Sequence, residues 1–477
     1  MLKDVTLEVR NGQFHFPKEL KGPFLERGGL TFWDGSEVSA EEIWQFLNEE
    51  APQLFPYFFT SDLNANERLP HHIELLSSLK LYYLRVSRRH RVEAMRKAGW
   101  VLALVNGGPP LDVYFGARAI PLRPGPMADL IMNYAAEKKK LQDHAAILEG
   151  IYDDGASRTA ADVCRLMRTH SGIRRRLVPV DILAPYTAMR CSDMSYLVEW
   201  QRADRPDLPK TLIDYPWDHD PAKSHNVKFV VQNLRDAVKQ IDQITGRQTT
   251  DEDLKRAIRW MNRLRMIGRK ILELWWSAPQ APTCSKLVFD WSTNVHDAIC
   301  DPVAMAQVLE ETYEELKERV ERGIKSPEVS EHAARLWVCG SCIVPSPFAI
   351  DARGGMLLGR DDRWSAMLMD VEEEGDPYEN IARSVMSSPY EQIAEKRALW
   401  VVEETRKARV DGILFAYHWG CNYQGAISRV MCDVTKGAGV PSINLEVDDL
   451  GRAASPEQSL NRISAFVEML GGAPPES

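Results

Sequence analysis

The chain has 477 residues and a net charge of −9 at neutral pH, with 44% hydrophobic and 27% charged residues. This length predicts two or three packed units rather than one core, and this composition is typical of a chain that folds throughout. The acidic balance argues against a general nucleic-acid-binding protein, and no uncharged run approaches the ~20 residues that a membrane span needs. Because the first residues show no signal-peptide pattern, we expect a cytoplasmic protein with no membrane partner.

The residue patterns divide the chain into four regions. Residues 1–95 are rich in Trp, Phe, Pro and charge and predict a mainly helical N-terminal extension, with helices near 40–47 and 72–79. Residues 96–224 predict a first α/β domain. Residues 225–330 predict a helical region, because apolar residues recur there at three- and four-residue intervals. Residues 331–477 predict a second α/β domain.

Short apolar runs bounded by Gly, Pro or charge predict the strands of both α/β domains. These runs lie at 101–105, 178–184 and 211–214 in the first domain, and at 336–339, 367–370, 412–416 and 442–447 in the second. Runs of this kind, with helices between them, are typical of parallel strands covered on both faces. We therefore predict an α/β fold with two doubly wound, Rossmann-like or flavodoxin-like parallel sheets.

Two of the eight cysteines follow predicted strands and precede predicted helices. Cys421 comes after the 412–416 strand and before a helix over 424–436, and Cys191 holds the same kind of position after the 178–184 strand. The positive end of a helix dipole and its free N–H groups favour a thiolate there. Cys164 lies in a predicted helix. Thiolates are the usual protein ligands of iron-sulfur clusters, so these three cysteines are candidate ligands at one interdomain cleft.

The remaining cysteines allow several interpretations of their role. Cys284 and Cys300 are expected in the core. Cys339 and Cys342 form a Cys-x-x-Cys motif that suits metal binding, disulfide exchange or packing, and Cys432 suits a further ligand or core packing. His418 either donates a hydrogen bond or proton near a bound substrate or has a structural role.

Several segments resemble the 2-hydroxyacyl-CoA dehydratase and benzoyl-CoA reductase family from about residue 95 onward. Residues 410–421, which end in His418-Trp419-Gly420-Cys421, and residues 439–448 resemble its last βαβ unit, residues 212–216 its central segment, and residues 111–123 part of its first domain. Position by position, Cys164, Cys191 and Cys421 match the family's cluster cysteines.

The resemblance implies a function, a cofactor and partners. Each subunit of that family carries an iron-sulfur cluster, here expected to be a 4Fe-4S cluster, and pairs with a homologous subunit. A separate ATP-hydrolysing iron-sulfur activator supplies a low-potential electron, which reduces a CoA thioester to a ketyl radical anion. The resemblance thus implies a subunit of an acyl-CoA reductase or a 2-hydroxyacyl-CoA dehydratase.

Other assignments within and beside this family stay open. Many dehydratase subunits carry Asn-Arg-Ser-Cys-Lys-Pro where this chain has residues 418–423, so the sequence does not choose between reduction and dehydration. Relatives with larger, fused clusters use more cysteines, which keeps a double-cubane type reductase of small molecules as an alternative. A non-catalytic partner subunit is a third alternative. No phosphate-binding loop of the Gly-x-x-x-x-Gly-Lys-Ser/Thr type is present.

Overall fold

The computed structural model describes residues 5–55, 58–59, 61, 69–105, 110–122, 153–155, 157, 180–184, 191, 199, 202–203, 205–295, 298–340, 346–418, 421–447 and 457–475. These residues form two parallel sheets, each covered by helices. The α-helices are Lys21–Leu25, Ala40–Gln45, Ala51–Leu54, Ser77–Val86, Arg88–Lys97, Leu111–Gly116, Ser224–Thr245, Asp251–Ser277, Ser285–Asn294, Pro302–Glu321, Pro347–Asp351, Asp361–Met367, Pro377–Met386, Ala394–Lys407, Asn422–Gly437 and Glu457–Met469. Across the described ranges, no helix has the length and apolar character needed to cross a membrane.

The second sheet, which lies near the C-terminus, has four strands that are all parallel. Their spatial order is Gly355–Arg360, Ala334–Gly340, Gly412–His418 and Ser442–Val447. The first strand in sequence thus lies between the second and the third. In doubly wound sheets this reversal of direction opens a crevice at the carboxyl ends of the first and third strands, where ligands bind.

The first sheet repeats this arrangement with shorter strands. Val101–Leu104 lies between Ala119–Leu122 and Ile182–Leu183, and both pairings are parallel. Within the described range 205–295, no strand forms at the predicted 211–214; an isolated parallel bridge joins Leu183 to Lys210 just before it, and the Thr211 N–H donates to the Leu183 carbonyl at 2.9 Å. Both sheets therefore have the order second, first, third strand, which confirms the predicted doubly wound α/β fold.

Apolar side chains cover both faces of each sheet. In the second sheet, Trp337 and Phe415 face one core, and Leu336 and Leu414 face another. In the first sheet, Val101 and Ala103 pack with the Ser224–Thr245 helix. This two-sided burial explains why the strands are short and almost wholly apolar.

Two long helices occupy the region in which the sequence pattern predicts helices. Asp251–Ser277 begins with a capping box, in which the Thr250 hydroxyl accepts from the Asp253 N–H and the Asp253 carboxylate accepts from the Thr250 N–H. This arrangement satisfies two amide groups that a helix start otherwise leaves unpaired. Arg265 of the same helix forms a two-point ion pair with the buried Asp112, with Nη2 2.7 Å from Oδ2. The long helix is thereby fixed to the first sheet's Leu111–Gly116 helix.

The N-terminal region combines helices with short antiparallel strands that its sequence pattern does not indicate. The strand pairs are Val5–Thr6 with His72–Ile73, Glu8–Arg10 with Gln13–His15, and Leu30–Thr31 with Glu37–Val38. The region shares one core with the helices Ser285–Asn294 and Pro302–Glu321 and with one face of the second sheet.

One predicted strand of the second domain is wrong. The run 367–370 follows the Asp361–Met367 helix, and its chain continues to Val371, whose N–H and carbonyl both bond to the side chain of Asn262. The strand is instead Gly355–Arg360. Its two glycines weaken the strand pattern in the sequence, yet Gly359 is required because a Cβ there would lie 2.9 Å from the Trp337 ring.

Candidate functional site

The candidate site lies at the crevice of the second sheet, where the first strand ends at Gly340 and the third ends at His418. Gly340 has a φ of 113°, and a Cβ there would lie 2.7 Å from the carbonyl oxygen of Ala416 on the neighbouring strand. Only glycine fits this conformation and this close approach. The two strand ends therefore meet tightly at the mouth of the crevice.

Cys421 is the N-cap residue of the Asn422–Gly437 helix. Its backbone is extended, with φ −76° and ψ 95°, and its sulfur accepts a hydrogen bond from the Gln424 N–H at 3.4 Å. The side chain is partly exposed. A sulfur that accepts an N–H at the positive end of a helix suits a thiolate, and partial exposure leaves it accessible to a metal or a cluster.

The other predicted site residues are described less fully. Cys191 is partly exposed, whereas Cys164 and the residues on either side of Cys191 lie outside the described residues. The backbone of His418 pairs with Val447, and its side chain is outside the description. Among the residues that the structure describes, no three His, Cys, Asp or Glu side chains come together as a metal site. The meeting of the three cysteines therefore stays a prediction.

Three other cysteines are buried hydrophobic residues rather than accessible thiols. Cys284, Cys300 and Cys339 are all 1% exposed or less. Burial raises the pKa of Cys284 and of Cys339 well above the usual value, and nearby carboxylates raise both further. Cys284 and Cys339 are therefore neutral thiols. All three buried cysteines suit packing, as expected from the sequence for Cys284 and Cys300.

Cys432 and Cys342 complete the set of cysteines. The Ser442 hydroxyl donates to the Cys432 sulfur at 3.5 Å, and the Cys432 thiol lies at the same distance from the Asn444 side-chain oxygen. Burial raises the pKa of the Cys432 thiol. Cys342 lies outside the described residues, so the structure describes only Cys339 of the Cys339–Cys342 motif.

A buried ion pair lies directly behind the crevice. Asp361 follows the Gly355–Arg360 strand, and its Oδ2 accepts from Arg397 Nε at 2.8 Å. Its Oδ1 accepts from the N–H of Gly340 at 3.2 Å. Burial raises the pKa of Asp361 although Arg397 opposes this shift; for Arg397, burial acts to lower the pKa, but Asp361 leaves it raised. Through the Gly340 N–H and the Arg397 guanidinium, Asp361 holds the end of the first strand.

Tyr390 connects this ion pair to the helix of Cys421. Its hydroxyl donates to the carbonyl of Gly340 at 3.1 Å and accepts from Gln424 Nε2 at 3.0 Å. The Arg397 guanidinium lies 3.9 Å from the centre of the Tyr390 ring, which is a cation–π distance. A continuous set of buried contacts thus runs from Asp361 to the first turn of the Cys421 helix.

The sequence analysis missed Asp361, Tyr390, Arg397 and Gln424. A signal existed for Asp361, because a polar residue directly after a buried strand is a candidate site residue. That signal was hidden because the strand was predicted at 367–370 rather than at Gly355–Arg360. Tyr390 and Arg397 reach the site only through the folded chain, and their local sequence gives no sign of it.

Comparisons with known proteins show the family of the chain. Residues 133–470 match the family model of the 2-hydroxyglutaryl-CoA dehydratase D-component. A similar protein is the (R)-2-hydroxyglutaryl-CoA dehydratase subunit alpha of Acidaminococcus fermentans, which is 22% identical over 339 residues and covers 68% of each chain. Because the family model spans most of the sequence, the resemblance inferred from residues 212–216, 410–421 and 439–448 is confirmed, whereas residues 111–123 lie outside the matched range. The chain belongs to the 2-hydroxyglutaryl-CoA dehydratase D-component family, within the 2-hydroxyacyl-CoA dehydratases.

Proposed function

We propose that the chain is the iron-sulfur subunit of a 2-hydroxyacyl-CoA dehydratase-type enzyme. Cys421 is one cluster ligand, and Cys164 and Cys191 are the others. The observation that supports this most directly is the sulfur of Cys421, which is partly exposed at the carboxyl end of a parallel strand and accepts the Gln424 N–H. Family membership supports the dehydratase assignment.

The donor set fits a 4Fe-4S cluster. Three cysteine thiolates would hold three irons and leave the fourth open to substrate or solvent. Of the further candidate ligands for a larger, fused cluster, Cys339 is fully buried and its pKa is raised by burial, which argues against its use. When bound, the cluster supplies a single low-potential electron to the thioester carbonyl of an acyl-CoA.

The residues of this chain prepare the site for that chemistry. Cys421 binds iron, and the Gln424 N–H stabilises charge on its sulfur. Cys339 and Ala416 are buried beside Gly340 at the strand ends, which would help to exclude water from that side of the crevice. His418, at the end of the third strand, would donate a hydrogen bond or a proton to the bound thioester.

The proposed partners are a homologous second subunit, an ATP-hydrolysing iron-sulfur activator and a CoA thioester. The name of the similar protein, a subunit alpha, supports a partner subunit. Dehydration of a 2-hydroxyacyl-CoA is preferred over reduction of an aromatic acyl-CoA because both comparisons name dehydratase components.

Anaerobic purification followed by iron and sulfide analysis tests this proposal. We expect about four irons per chain and an electron paramagnetic resonance signal after reduction. Cys421→Ala should lose most of the iron. Cys300→Ala is the matched control, because it removes a buried thiol that the proposal does not use.

Four outcomes would count against the proposal. An iron-free parent protein would exclude the iron-sulfur role, and about eight irons per chain would favour the double cluster. Unchanged iron in Cys421→Ala would exclude this residue as a ligand. With iron present, incubation with the partner subunit, the activator and a 2-hydroxyacyl-CoA should give the unsaturated acyl-CoA, whereas turnover of only an aromatic acyl-CoA would contradict the dehydratase assignment.

A further inference from the structure

We propose that Gln424, Tyr390 and Arg397 are positioning residues for the sulfur of Cys421, an inference that rests on the proposed iron-sulfur function. None of the three touches the reacting atoms. They act by fixing the N–H that faces the sulfur and by joining the two strand ends of the crevice.

Gln424 uses its backbone and its side chain in two directions. Its N–H donates to the Cys421 sulfur at 3.4 Å, and its side-chain Nε2 donates to the Tyr390 hydroxyl at 3.0 Å. The side chain is 4% exposed. Because both contacts come from one residue in the first helical turn, the side-chain anchor sets the position of the N–H that faces the sulfur.

Tyr390 is itself held at three points. Its hydroxyl donates to the Gly340 carbonyl, its backbone N–H donates to the Ser365 hydroxyl at 3.1 Å, and its ring lies under the Arg397 guanidinium. The hydroxyl therefore joins the first strand's end to the helix that follows the third strand. These are the two strands that border the crevice.

Arg397 is the charged residue among the three proposed positioning residues. It is fully buried, and its Nη1 has no hydrogen-bond partner among the residues that the structure describes. The guanidinium stacks on Tyr390 and pairs with Asp361, which fixes the ring orientation.

Hydrogen bonds to ligand sulfurs tune the potential of an iron-sulfur cluster. An N–H held on the Cys421 sulfur stabilises the reduced form, which carries one more negative charge. Loss of the anchor would let the first helical turn move and would weaken this hydrogen bond. The expected result is a more negative potential of the cluster.

Two variants test the inference. Tyr390→Phe removes the hydroxyl and keeps the ring under Arg397, and Gln424→Met removes the anchoring amide at similar size. Tyr378→Phe is the matched control, because Tyr378 is also buried, lies under Arg235 at 4.2 Å and belongs to the core of the first sheet. The full-length anaerobic protein is used throughout.

Two measurements are made on each variant. The first is the midpoint potential of the cluster by dye-mediated titration with electron paramagnetic resonance. The second, after iron is removed with a chelator, is the rate at which iodoacetamide alkylates Cys421 at fixed pH, read by peptide mass spectrometry. For the loss of one weak hydrogen bond, we expect the equilibrium constant for reduction of the cluster to fall about threefold to tenfold, where tenfold corresponds to a potential lower by about 59 mV. We expect the alkylation rate of Cys421 to fall by a similar factor of about three to ten.

The two measurements separate the possible failures. If the parent holds iron, potentials of Tyr390→Phe and Gln424→Met equal to that of Tyr378→Phe overturn the inference. If the parent holds no iron, the proposed function fails, and the alkylation rate alone decides: rates equal to the control overturn the positioning role, and slower rates support it. A thermal melt of each variant shows whether lost stability explains the change.

Discussion

Thr283 donates its hydroxyl hydrogen to the buried carboxylate of Glu74, although the two residues lie 209 positions apart in the sequence. The N–H of Cys284 donates to the same carboxylate at 2.8 Å, and the Ser326 hydroxyl donates to its second oxygen. Glu74 directly follows the last short strand of the N-terminal region. That region is therefore joined to the helical region through a buried polar cluster as well as through apolar packing.

The free energy of unfolding should fall as the pH rises from about 4.5 to about 7, in part because of Glu74. Burial raises the pKa of Glu74 from 4.5 to about 7 in the folded protein. In this range the unfolded chain has released a proton that the folded chain still holds, so rising pH favours unfolding. The contribution is about 3 kcal/mol, fully present below pH 4.5 and lost above pH 7.

Urea unfolding at several pH values checks this prediction. Glu74→Gln should reduce the slope of unfolding free energy against pH, because the amide does not titrate. Some slope should remain, since burial also raises the pKa of Glu315 to about 7. Glu468→Gln, at an exposed position, should keep the parent's slope. An unchanged slope in Glu74→Gln would contradict the assignment.

Arg397→Met should destabilise the fold by about 3 to 5 kcal/mol, because it leaves Asp361 buried without its ionic partner. Denaturant unfolding measures this loss. The double variant Arg397→Met with Asp361→Leu should recover part of it, since both charges are then absent. Arg429→Met breaks the exposed pair with Asp433 and should leave stability almost unchanged. Equal losses in the buried and exposed pairs would contradict the prediction.

The cysteines should differ sharply in reactivity in the folded, iron-free protein. Cys421 is partly exposed and should be alkylated by iodoacetamide, whereas Cys284 and Cys339 are buried and should be protected even at pH 9. Burial raises the pKa of both protected thiols well above its usual value, so almost no thiolate forms there. Mass spectrometry of native and unfolded samples provides the measurement, and native labelling of Cys339 would count against this picture.

The sequence predicts those parts of the fold that depend on continuous local patterns. The apolar runs near 336–339, 412–416 and 442–447 are strands, and the two long helices lie where the 3.6-residue period indicates. The position of Cys421 between a strand and a helix also follows from local pattern. Each of these features is formed by residues close together in the chain.

The sequence does not predict features that arise from distant contacts. Gly355–Arg360 is a strand through parallel pairing with Ala334–Gly340, and the Trp337 ring requires glycine at position 359, which weakens the local strand pattern. The local sequence places Arg397 among the charged residues of an amphipathic helix. In the structure, however, Arg397 is fully buried against Asp361, which lies 36 residues earlier. Long-range packing determines both the second strand and the residues behind the crevice. Neither could therefore be predicted from the spacing of residues in the sequence.

Gly340→Ala should disturb the site more than the addition of one methyl group suggests. The φ of 113° is strained for alanine, and the added Cβ would lie 2.7 Å from the Ala416 carbonyl oxygen, so the first and third strands must separate at their carboxyl ends. The strained backbone alone costs roughly 1 to 3 kcal/mol. Because the Gly340 carbonyl also accepts from Tyr390, the shift should reach the Cys421 helix.

Urea unfolding and iron content together test this expectation. Gly340→Ala should lower the unfolding free energy and reduce the iron retained after anaerobic purification. Gly437→Ala is the matched control, because a Cβ at Gly437 meets no atom within 4 Å and this glycine has no positive φ. If Gly340→Ala matches Gly437→Ala in both measurements, the close approach of the two strand ends does not constrain the site. If it loses stability and keeps its iron, the constraint is structural and does not extend to Cys421.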